Sequence, residues 1–112
     1  MSQHDVELRL RHMLDAAREA RQLTAGRTRA EFDDDRTLKL AIVRLLEVLG
    51  EAAARVPEDF RSQHPELPWT EVVGLRNRLI HGYYEVDYDV VWQILREDLA
   101  PLVERLSGLV DL

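Results

Sequence analysis

The run Arg76-Asn77-Arg78-Leu79-Ile80-His81-Gly82-Tyr83-Tyr84 gathers guanidinium, amide, imidazole and phenol groups in one short stretch. An imidazole exchanges its proton near neutral pH, so His81 is suited to general acid or base work. A guanidinium presents a rigid fork of donors to an oxyanion, so Arg76 is suited to charge developing on a phosphoryl group. On an ideal helix Asn77 and His81, four residues apart, share a face, and the Asn77 amide could hold one ring nitrogen and define its tautomer. Arg76, five residues before His81, would point roughly 140° away on the same helix. Either the last turn deforms before Gly82, or a second copy of the helix completes the cleft about a twofold axis.

Metal chemistry has little to rest on. The chain has no cysteine, and His4, His12, His64 and His81 form neither a His-x-x-x-His pair nor a Glu-x-x-His motif. No metal or other cofactor is therefore expected. A formal net charge of -6 argues against broad attachment to a nucleic-acid backbone, so any RNA site must be local. Lys39 is the single lysine among many arginines, and arginine is the better bidentate phosphate donor.

The elements that must position these groups follow from apolar spacing. Val6, Leu10, Met13, Ala17 and Ala20 recur every three or four residues, giving a helix from Asp5 to about Thr24 that Gly26 ends. Asp33-Asp34-Asp35 forms an acidic entry to a second helix, about Asp35 to Val56. One apolar line of this helix runs through Leu38, Ala41, Leu45, Leu49, Ala52 and Val56, another through Ile42, Leu46 and Ala53, a face wide enough for more than one neighbour. Its polar line, Arg44, Glu47, Glu51 and Arg55, reads as solvated i,i+4 ion pairs. The other reading is that Glu47 or Glu51 faces the cleft and orients a basic residue.

Pro57, Pro65 and Pro68 mark a connection with one helical turn near Glu58 to Ser62, anchored by Trp69. A third helix is expected from about Pro68 to His81, buried through Val72, Leu75 and Leu79 and ended by Gly82. The last opens near Asp87 or Asp89 and buries Val91, Leu95, Leu102 and Leu106, with Pro101 kinking or interrupting it. Tyr84, Tyr88 and Trp92 read as packing residues at its start. Arg78 could assist substrate or form a surface ion pair.

No segment alternates with period two, so the expected architecture is all-α, an up-and-down bundle of four to five helices. With 112 residues and 46% apolar composition, the chain is expected to form a single domain, residues 1–112. No apolar run approaches a membrane span, and the polar start Met1-Ser2-Gln3-His4-Asp5 lacks a signal-peptide layout, so a cytoplasmic location is expected.

The spacing Arg-x-x-x-x-His followed by Gly-Tyr resembles the Arg-x4-His-x-Tyr motif of HEPN-domain toxins of the HepT group. The likeness extends to Leu10-Arg11-His12-Met13-Leu14, to Leu46 through Ala52, to His64-Pro65-Glu66-Leu67-Pro68-Trp69, and to Val90-Val91-Trp92 with Asp98 through Leu102. The resemblance implies a HEPN-like helical homodimer and an endoribonuclease toxin in which Arg76 and His81 are catalytic and Asn77 supports them. It also implies a minimal nucleotidyltransferase antitoxin as partner, possible higher assembly with it, and transfer of AMP to Tyr83. RNA is then the substrate, tRNA among the candidates, cut by 2′-hydroxyl attack without a metal. A competing reading is a catalytically silent helical module that binds a nucleotidyltransferase or a nucleotide; intact Arg76, Asn77 and His81 favour the enzyme. A purely structural helical dimer would leave that cluster unexplained.

Overall fold

Ser2 opens helix α1, Gln3–Thr24, with a capping box: its hydroxyl accepts from the Asp5 amide while the Asp5 carboxylate takes the Ser2 amide. This is a computed structural model, and it describes residues 1–82 and 84–110. The apolar stripe expected of α1 is buried at Val6, Leu10, Met13, Ala17 and Ala20, and Gly26 follows with φ of 74°, a conformation open to glycine at little cost.

A helix α2, Arg29–Asp34, lies where the sequence suggested only an acidic lead-in. The Thr28/Glu31 pair caps it reciprocally, and Thr-x-x-Glu was the local signal for it. Phe32 is its single buried residue and reaches the last helical run, 5.3 Å from Trp92 and 6.1 Å from Tyr88 between ring centroids. Asp35 caps α3, Arg36–Ala54, by accepting from the Leu38 amide at 2.9 Å.

Helix α3 packs on α1 along one side and on two later pieces, α5 (Trp69–Val73) and α6 (Leu75–Leu79), along another, which is why it needs two apolar lines. Gly50 permits the second contact. A methyl there would stand 3.0 Å from the Val72 carbonyl. Short helix α4, Glu58–Gln63, sits in the proline-marked connection, and Trp69 anchors that connection by donating from its indole to the His64 carbonyl at 2.8 Å.

The third expected helix is two pieces, α5 (Trp69–Val73) and α6 (Leu75–Leu79), separated at Gly74, a weak helix former. It also ends before His81. Ile80 is extended (φ -118°, ψ 121°), and Ile80–His81 forms β1, paired antiparallel with β2, Glu85–Val86. The Leu79 carbonyl accepts from the Asp87 amide at 2.7 Å, so bonds to a distant segment replace the next helical turn. Gly82 is thus a residue of the turn after β1, with φ of 71°, rather than a helix cap.

The last run comprises α7 (Tyr88–Gln93), a π-helical turn (Ile94–Asp98) and α8 (Leu99–Leu109). In the π turn the Leu99 amide reaches back five residues to the Ile94 carbonyl. That widening just precedes Pro101, which has no amide hydrogen to continue the ladder. Val91, Leu95, Leu102 and Leu106 are buried as expected. Tyr88 and Trp92 pack on the core, whereas Tyr84 is 75% exposed, contrary to the packing role expected for it.

The fold is all-α but for this pair of two-residue strands, too short to carry a period-two signal. Among the described residues no helix is long and apolar enough to cross a membrane. Phe32 is fully buried and joins α2 to the start of α7, so Phe32→Ala is expected to cost about 3–5 kcal/mol, read as a lower midpoint in urea unfolding.

Candidate active site

Two acidic side chains from outside the Arg76–Tyr84 segment, Glu47 and Asp87, hold Arg76 and His81. Where α6 passes α3, Glu47 lies beneath Arg76, with Oε2 3.5 Å from the guanidinium Nε. Glu47 is 22% exposed and Arg76 67%, so the carboxylate steadies one edge of the fork and leaves the rest open to solvent. Glu51, one turn on, pairs instead with Arg44 seven residues away at 3.4 Å. The i,i+4 ladder expected along this helix is replaced by those two contacts, because the crossing α6 offers Glu47 a closer cation.

His81 is held by Asp87. Its Nε2 lies 3.2 Å from Asp87 Oδ2, while the other Asp87 oxygen accepts from the Val90 amide at 3.2 Å and caps α7. An ionised carboxylate can only accept, so a neutral His81 in this contact carries its proton on Nε2. Nδ1 then keeps the lone pair, and no described group bonds to it. The Val90 amide first, and the His81 ring second, hold the Asp87 carboxyl below its ordinary range.

Asn77 does not take the part its spacing suggested. The helix stops at Leu79, so His81 leaves the face that Asn77 occupies, and Asn77 stands exposed with no hydrogen bond to a described residue. Arg78 pairs with Asp98 at 3.6 Å, the ion-pair alternative of its two readings. Tyr83 lies outside the described residues. Of the other histidines, His12 is exposed, and His64 stacks on Phe60 at 4.4 Å and bonds to Glu66.

His81, 62% exposed, opens on a hollow of about 330 Å³ that Arg29, Glu85, Asp87 and Tyr88 also line. Antiparallel pairing places Glu85 opposite His81 in register. Arg76 and His81 do not touch. Each has its own carboxylate, and no hydrogen bond or ion pair joins them within one chain. No three described His, Asp or Glu side chains converge closely enough to hold a metal ion.

This arrangement, an anchored imidazole and an anchored guanidinium exposed at the end of a short helix, occurs in a chain whose relatives are ribonucleases by name. Residues 13–108 match the family described as ribonuclease HepT-like, and the chain belongs to that family. It is similar to "Putative RNase MJ1380" of Methanocaldococcus jannaschii, 39% identical over 107 residues that cover 96% of this chain and 98% of that one. It is also similar to "Probable ribonuclease HepT" of Thermococcus cleftensis, 39% identical over 79 residues, 70% of this chain and 72% of that one. No solved structure matches the chain.

Asp87, which sequence reading treated only as a helix start, thus serves two neighbours. A carboxyl held below its ordinary range stabilises the fold above that range and loses the contribution as pH falls through its folded-state value. Asp87→Ala is accordingly expected to lower the thermal midpoint at pH 7, with the gap from wild type closing in strong acid. Asp87→Asn, which keeps a capping oxygen, is expected to lose less.

Proposed function

We propose that the protein is a metal-independent endoribonuclease in which His81 moves the proton and Arg76 steadies the phosphate. The observation that carries this reading is the His81–Asp87 pair, which fixes the imidazole through Nε2 and leaves Nδ1 available at an open hollow. Membership of the HepT-like ribonuclease family supports RNA as the substrate. Nδ1 takes the proton of a ribose 2′-hydroxyl, and the 2′-oxygen attacks the adjacent phosphorus. The P–O5′ bond breaks and the departing oxygen receives a proton, leaving a 2′,3′-cyclic phosphate and a 5′-hydroxyl. Arg76, held by Glu47, donates to the phosphoryl oxygens as charge builds on them.

A second copy of the chain accounts for the separate anchoring of the two groups. Across a twofold axis the exposed Arg76 of one copy would stand with the exposed His81 of the other, giving one imidazole to accept a proton and one to return it. The exposed Leu40, on the helix that carries Glu47, offers apolar surface toward such a homodimer. The same reading makes the protein a single-domain cytoplasmic toxin. Its antitoxin is a minimal nucleotidyltransferase, and AMP transferred to Tyr83, two residues from His81, would add charge and bulk where substrate phosphate enters.

The test is cleavage of cellular RNA in EDTA by wild type, His81→Ala and Arg76→Ala, with the new ends analysed chemically. Wild type is expected to leave 2′,3′-cyclic phosphates. His81→Ala is expected to be slower by about 10²–10⁴-fold and Arg76→Ala by about 10²–10³-fold. Folded, unmodified wild type that leaves RNA intact would favour the silent nucleotidyltransferase-binding module instead.

A further inference from the structure

A second cationic feature lies away from the Arg76 and His81 pair. Between α1 and the π turn with α8 runs a groove of about 500 Å³, walled by Arg18, Arg21 and Arg96 over an apolar floor that includes Leu95 and Val103. Among the described residues no carboxylate lines it. Six of the fourteen arginines, Arg11, Arg27, Arg29, Arg44, Arg76 and Arg78, pair with an Asp or Glu, and none of the three in the groove pairs with a described one.

Neutral groups hold two of the three groove arginines. Arg18 donates to the Ser107 hydroxyl at 3.1 Å, and that hydroxyl donates on to the Val103 carbonyl at 2.7 Å. Arg96 lies over the Trp92 ring, 4.3 Å from its centroid, and donates to the Arg27 carbonyl. The Arg21 side chain is exposed and has no hydrogen bond or ion pair with a described residue. The Arg18 and Arg96 side chains are therefore oriented without being neutralised, as an anion site requires, and Arg21 adds a third unpaired charge.

The chain around Arg27 links the groove to the His81 hollow. Arg96 is fastened to the Arg27 carbonyl, and Arg29, two residues on, lines that hollow. From Asp87 to Arg96 the helical rise is roughly 13 Å, a span that a few nucleotides can bridge. We infer that Arg18, Arg21 and Arg96 bind backbone phosphates of single-stranded RNA flanking the bond to be cut. This rests on the ribonuclease reading for the identity of the ligand. It also resolves how an acidic protein grips RNA: through one local unneutralised groove.

The test is equilibrium binding of a 2′-O-methyl oligonucleotide of roughly ten nucleotides, which cannot be cut by 2′-hydroxyl attack, across a range of salt concentrations. The proteins compared are wild type, the double variant Arg18→Ala/Arg21→Ala, and Arg21→Glu alone. The last changes a side chain with no internal partner and keeps the test valid if the double variant folds poorly. Affinity is expected to fall by about tenfold or more in either, and the log–log salt slope of the double variant to flatten by about 1.4, two single-strand phosphate contacts. Unchanged affinity and slope in both variants would overturn the groove. Cleavage of the unmodified oligonucleotide by wild type is scored separately. Arginine-dependent binding without any cleavage would contradict the ribonuclease reading and leave the groove standing as an RNA site.

Discussion

The Asp87 carboxylate sets the geometry on which the candidate site depends. One oxygen caps α7, the other meets the His81 ring, and the backbone amide of the same residue takes the Leu79 carbonyl. These bonds draw the end of α6 and the start of α7 together, and the two-residue strands pair in the space between. If α6 continued through His81, the imidazole would return to the face of Asn77 and lose its carboxylate. The end of the helix and the orientation of the imidazole thus have one cause.

The rest of the molecule keeps that junction in place. Helix α3 packs against α1 on one side and carries α5 and α6 on another, with Gly50 admitting the α5 backbone at close range. Phe32 fixes the other partner by wedging α2 against Tyr88 and Trp92 of α7. The π turn lets the last helical run pass Pro101 without a break, so α7 and α8 together span the bundle. Glu47 then projects from α3 to the very helix that α3 supports, and the scaffold itself orients Arg76.

The all-α fold and most of its long elements were legible in the sequence because they rest on local periodicity. The stripes of α1 and α3 and the buried line through Val91 and Leu106 follow from residues three or four apart, and the anchoring by Trp69 follows from its place in the proline-marked connection. What escaped depends on contacts that helical periodicity does not encode. The end of α6 is decided by Asp87 and β2, and no feature within residues 75–81 announces it beyond the β-branched Ile80. Asp87 is only six residues from His81, but their contact follows from the β1–β2 pairing and not from helical spacing. Glu47 was separable from Glu51 only once α6 was seen to cross α3. Helix α2 is different, since its Thr28/Glu31 capping box was present to be read. Within the site, Arg76 and His81 emerged from residue type and spacing; of the side chains that hold them, Glu47 was offered as one of two candidates and Asp87 only as a helix start.

The account turns on Asp87 fixing the His81 imidazole through Nε2. Nitrogen-resolved NMR of the His81 ring in wild type and Asp87→Ala tests this most directly. The account predicts that the neutral form of the ring carries its proton on Nε2 in wild type, with a downfield, slowly exchanging Nε2 proton that is lost in the variant. Identical His81 ring signals in the two proteins would contradict it.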